Sequence, residues 1–114
     1  MSTTLGEFEQ IVLLAILRLE DNAYGVTVRD EIRKCTGREV APGHLYTTLG
    51  RMEDKGMLKA RVGGATKERG GRAKRYLIVT PAGRAALVEA QRAFQSLMIG
   101  LDLLTPGRKG ATDA

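Results

Sequence analysis

Residues 42–58, PGHLYTTLGRMEDKGML, decide how the rest of the chain is read. Pro42 suits the first turn of a helix and disfavours helix at Ala41 before it, while Gly56 is the residue type that ends one. At about 100° per residue, Leu45, Leu49 and Met52 fall on one side, and His44, Thr47, Thr48, Arg51 and Lys55 gather on a neighbouring arc. Such a helix is anchored on one face and presents donors on another. Glu53 and Asp54 lie outside the arc, so it keeps a positive balance and a polyanion becomes the first partner to test.

The charge next to this helix strengthens that expectation. Residues 59–75 carry seven basic side chains (Lys59, Arg61, Lys67, Arg69, Arg72, Lys74, Arg75) against the single acid Glu68. The whole chain has a net charge of +5, so the excess is a patch rather than a general solubility charge. The 114 residues fit one domain, and a composition 43% hydrophobic and 27% charged is that of an ordinary globular protein. Cys35 stands alone and forms no internal disulfide, and no signal-peptide pattern opens the chain, which predicts a cytoplasmic location. The longest apolar run, 11–17, is far below the ~20 residues that span a bilayer, so no membrane partner is expected. One histidine and one cysteine do not make the usual zinc sets, and no catalytic triad or paired carboxylates stand out. No metal, no cofactor and no enzymatic activity are expected.

Upstream, Thr4 and Glu7 match a capping box, and the apolar positions from Leu5 to Leu19 predict a first helix over about 5–20. They cover more than one stripe, which favours a second buried surface supplied by another copy of the chain. Tyr24-Gly25 leads into a second helix, Val26 to about Thr36, with Val28, Ile32 and Cys35 on one face and Gly37 as its stop. On this face Cys35 reads as a small core residue rather than a redox sensor. Downstream, 57–62 and 75–80 read as two strands joined by the glycine-rich loop 63–72, a hairpin with a basic tip. Thr80-Pro81 starts a last helix, in which Leu87, Ala90, Phe94, Leu97, Leu101 and Leu104 form a short heptad seam that stops before Pro106. Residues 106–114 read as a disordered tail.

Three short helices, a basic hairpin and a closing helix resemble the winged helix-turn-helix. The Leu-rich first helix, Tyr24-Gly25, GHLYTTLGRMEDKGML and GGRAKRYLIVTPAGRAAL resemble in particular the PadR family of bacterial transcription factors, over about 5–88. The predicted class is mainly α with a β-hairpin wing: a DNA-binding domain over 1–80 and a dimerisation helix over 81–105, as in the smaller members of that family. Three positions depart from the family pattern. Ala41 stands where Ser or Thr often caps the third helix, Thr47 where Pro is frequent, and Ala73 where Pro commonly precedes the basic pair. A missing cap is worth roughly 1 kcal/mol, a local cost that leaves the fold intact.

The resemblance implies a homodimeric DNA-binding regulator, a repressor on a pseudo-palindromic operator. His44, Thr47, Thr48, Arg51 and Lys55 are the candidate contacts of the third helix, and the resemblance adds Tyr46 against the backbone. Lys67, Arg69, Arg72, Lys74 and Arg75 are the candidate wing contacts with phosphate. Phe8, Val12, Leu87, Ala90, Phe94, Leu97 and Leu101 are the candidate dimer interface, where a small apolar effector is the alternative to a plain contact. Tyr24 and Tyr76 read as packing residues. The rival to DNA binding is a winged-helix module whose basic hairpin meets an acidic protein.

Overall fold

The anchored side of the 42–58 helix is anchored as its spacing predicts: Leu45, Leu49 and Met52 are all buried. In the computed structural model, which describes residues 5–63 and 74–104, this helix is α3 (Pro42–Asp54). It is preceded by α1 (Glu7–Leu19), a 3-10 turn (Glu20–Asn22) and α2 (Gly25–Thr36). It is followed by β1 (Leu58–Val62), β2 (Arg75–Val79) and α4 (Pro81–Met98). The wing tip and the C-terminal tail, 105–114, lie outside the described residues.

One core joins these elements. Val12, Leu13 and Ile16 of α1, Val28 and Ile32 of α2, the three anchors of α3, and Leu58, Leu77 and Val79 of the strands bury against one another, with Leu87 of α4 closing one side. The strands are antiparallel in the register Leu58↔Val79 to Val62↔Arg75. Period-2 alternation therefore puts Leu77 and Val79 inward and Tyr76 and Ile78 outward. The Leu77 N–H donates to the Ala23 carbonyl at 2.8 Å, which ties β2 to the segment before α2.

The ends of α3 follow from its sequence. Ala41 offers no side-chain cap, and Pro42 occupies the first turn, where its missing N–H is not needed. At the other end Gly56 adopts φ +79, the left-handed conformation glycine tolerates without a Cβ penalty. The Gly56 N–H donates to the Glu53 carbonyl and the Met57 N–H to that of Met52, at 3.0 and 2.9 Å, the Schellman arrangement. Thr80 then clamps this exit: its N–H reaches the Met57 carbonyl and its hydroxyl the Gly56 carbonyl, so the base of the hairpin is fixed to the end of α3.

Several sequence expectations are corrected. Thr4 lies outside the described residues, and α1 begins at Glu7, where the Glu9 carboxylate accepts the Gly6 N–H at 2.9 Å. Cys35 is exposed and not in the core, its thiol 3.4 Å from a Glu31 oxygen. The last helix ends at Met98, because Gly100 turns the chain at φ +85; Leu101 and Leu104 of the heptad seam therefore lie beyond it. No helix among the described residues is long and apolar enough to cross a membrane.

Candidate nucleic-acid interface

His44, Tyr46, Thr47, Gly50 and Arg51 stand on the exposed part of α3, facing away from the three buried anchors. Thr48 does not join them. It is 0% exposed, and its hydroxyl donates to the His44 carbonyl at 2.9 Å, so a residue assigned to the outer arc belongs to the core. It sits one position from Leu49, three from Leu45 and four from Met52, too close to the anchored stripe to escape it.

The neighbours of this face come from α1. His44 stacks on Phe8, ring centroids 4.5 Å apart at 19°. Phe8, expected at a dimer interface, is half-buried under the candidate DNA face. Glu9 is 7% exposed, and its second oxygen faces Lys55 Nζ at 3.3 Å and Arg51 Nε at 3.5 Å. Burial raises the Glu9 pKa, but the Gly6 N–H and the two cations outweigh it, and the carboxyl is held below its ordinary range. Glu53 and Asp54 are the acids near these cations in sequence, whereas Glu9 is an acid on another helix 46 residues from Lys55. Nothing in local spacing signals such a pairing.

On the far side of α3, Tyr46 is 55% exposed and lies over the start of α2. A Cβ added to Gly25 would sit 2.4 Å from its hydroxyl oxygen, so Gly25 is there to let the ring approach. Between α2, α3 and β2 runs an open groove of about 660 Å³, lined by Tyr24, Gly25, Tyr46, Gly50, Glu53, Lys74 and Arg75 among others.

The base of the wing is built from aromatic and cationic side chains. Arg61 lies 4.9 Å over the ring of Tyr76, its cross-strand partner, and Tyr76 meets Tyr24 edge to face at 5.5 Å. Lys74 Nζ lies 4.7 Å over Tyr24. Such contacts are worth about 0.5–1 kcal/mol each at exposed sites. Together they fix the ribbon to the start of α2 while leaving Lys74 and Arg61 at the surface. Arg75 is different: Nη1 and Nη2 take the two oxygens of Glu53, each at 2.6 Å. These hydrogen bonds hold the Glu53 carboxyl below its ordinary range and raise the guanidinium. Of the expected wing contacts, Lys67, Arg69 and Arg72 lie outside the described residues.

The expected dimer residues divide. Val12 and Leu87 are buried in the core of the single chain at 0% and 5% exposure, which removes them from any surface. Ala90 is half-buried, whereas Phe94 and Leu97 are 56% and 77% exposed, and every residue from 92 to 104 is open to solvent. Core and interface both use apolar residues at helical spacing, so the seam alone could not separate them.

Comparison with known proteins agrees with this architecture. Residues 13–89 match the Transcriptional regulator PadR-like family. Transcriptional regulator Rv3488 of Mycobacterium tuberculosis is 38% identical over 78 residues, covering 68% of each chain. The fold is similar to that of a PadR-like transcriptional regulator from Bacillus cereus (TM-score 0.68, 21% identity, 89% of this chain and 93% of that one). It is also similar to a transcriptional regulator from Clostridium thermocellum (TM-score 0.64, 22% identity, 78% and 83%). A winged-helix core carrying these family residues over two-thirds of its length places the chain in the PadR-like family of transcriptional regulators.

Proposed function

We propose that this regulator binds double-stranded DNA sequence-specifically as a homodimer, with α3 in the major groove and the hairpin along the flanking backbone. The observation that carries the reading is the outward face of α3, where Tyr46, Thr47, Gly50 and Arg51 stand clear of the core beside the cationic base of the wing. A helix of about 10–12 Å diameter fits a groove about 12 Å wide. Arg51 meets Glu9 through Nε, and its two Nη groups are the ones a guanine edge would take. Lys74 and Arg61 supply phosphate contacts from the ribbon.

The exposed apolar half of α4 supports a second copy as its partner, since Phe94 and Leu97 together with Leu14 of α1 are costly to leave in water. Two-fold symmetry then gives two half-sites about one helical turn apart, or a multiple of it. Repression follows from a dimer that occupies promoter DNA and excludes other proteins from it. The test is binding to random and selected duplexes across a salt series. The expected log–log slope is about −3 or steeper, three or more phosphates at ~0.9 each. Retained binding to a polyglutamate peptide with no measurable binding to duplex would favour the protein-module reading instead.

A further inference from the structure

A two-stranded ribbon has little stability or fixed orientation of its own. Here the ribbon is clamped at its base by Thr80, but its outer end at Arg75 is about 17 Å away, five residues at ~3.4 Å each. Whatever sets the direction of the wing must act near that end. Two cross-ties do so among the described residues. One is at Tyr24, on which the Tyr76 ring and Lys74 both pack, and it reaches α2. The other is the Arg75–Glu53 pair, which reaches the last turn of α3.

The second tie has the geometry of a strut. Both bonds are short, and the two planar groups meet as a fork on a fork, which fixes direction as well as distance. The Glu53 side chain is 20% exposed and stands on a helix end held by the Gly56 turn. Ion pairs such as Arg33–Asp30 link residues of one helix, at 3.4 Å with both side chains more than half exposed, and such pairs contribute little. Arg75–Glu53 instead joins elements 22 residues apart.

We propose that Glu53 and Arg75 are positioning residues that set the angle between α3 and the wing, so that both reach one DNA duplex at once, and that Arg75 is not itself a phosphate contact. This rests on the DNA-binding reading above. The pair acts through other residues: α3 carries the base-facing side chains, the ribbon carries Lys74 and Arg61, and the strut fixes their relation.

The experiment compares wild type with Glu53→Gln, Arg75→Gln and the charge exchange Glu53→Arg/Arg75→Glu. Affinity is measured for a selected duplex and for random DNA, and amide exchange is followed without DNA. Glu53→Gln should weaken specific binding about tenfold while random-duplex affinity stays level or rises, because it frees a cation. The exchange variant should recover most of the specific affinity. In the free protein, the Gly63 amide, which donates to the Lys74 carbonyl at the open end of the ribbon, should exchange faster in Glu53→Gln, with the Leu77 amide unchanged. If Arg75 holds a phosphate instead, Arg75→Gln loses specific and random affinity alike, Glu53→Gln gains both, and the exchange variant is not rescued; that result overturns the proposal. Unchanged Gly63 exchange in Glu53→Gln also overturns it, even if the wild type binds no DNA. That last outcome by itself would refute the function reading and leave the amide result to decide the strut.

Discussion

Gly25→Ala separates stability from function in a way that follows from what its new methyl would meet. An ideal Cβ there lies 2.4 Å from the Tyr46 hydroxyl oxygen and 2.9 Å from two ring carbons. Comfortable contact needs about 3.5 Å, so something must move by roughly 1 Å. What moves is the far end of a side chain already 55% exposed, which can turn into solvent without disturbing the core. Alanine in place of glycine also favours the helix, by up to ~1 kcal/mol at interior positions and less at this first one. The two effects largely offset, and the melting temperature should change by less than about 5 °C, under ~1 kcal/mol for a domain of this size. DNA binding should nonetheless weaken, because Tyr46 leaves its place over α2. A double-mutant cycle with Tyr46→Ala isolates this: if Gly25→Ala acts by displacing the ring, the double variant binds no more weakly than Tyr46→Ala alone. Strictly additive losses, or a melting point lowered by more than about 10 °C, would show that Gly25→Ala does not act by turning the Tyr46 ring aside.

Gly83→Ala meets the same 2.4 Å distance with the opposite result, since the neighbour is the Met57 backbone carbonyl, with Val79 Cγ1 at 3.0 Å. Neither can turn away, and the expected cost of about 1–3 kcal/mol should appear as a lower midpoint in denaturant unfolding. Arg51→Ala should weaken binding to a selected duplex by roughly 1–3 kcal/mol and relax preference at one base position, with dimerisation unchanged in ultracentrifugation. Phe94→Glu with Leu97→Glu should give a folded monomer, because both side chains are exposed in the single chain; circular dichroism checks the fold and light scattering the mass. Arg75 holds Glu53 below its ordinary value of 4.5, so the pair adds stability above that pH and loses it as pH falls through the lowered value. Glu53→Gln should therefore cost stability at about pH 6 and progressively less as pH falls through the lowered value, read from thermal unfolding.

Much of the fold was legible because the relevant signals are local. Pro42 and Gly56 bound α3, Gly37 stops α2, Thr80-Pro81 starts α4, and alternation places the strands within a residue or two. The candidate site was legible in outline only. A helical wheel treats each element alone, so it placed Thr48 outside although its neighbours bury it, and it grouped buried Val12 and Leu87 with exposed Phe94 and Leu97. Charge along the sequence likewise leaves Arg51, Lys55 and Arg75 without partners, while Glu9 and Glu53 meet them across the tertiary fold. Cys35 misled for a related reason: it shares a helical stripe with Ile32, but it is exposed, with its thiol beside the Glu31 carboxylate.

Amide shift mapping on a selected duplex shows whether the outward face of α3 meets DNA. The amides of His44, Tyr46, Thr47, Gly50 and Arg51 should shift together with those of Arg61 and Lys74, while the outer half of α4 stays unperturbed at dimer concentrations. Shifts confined to α4, or a duplex that saturates without moving the α3 resonances, would contradict that contact.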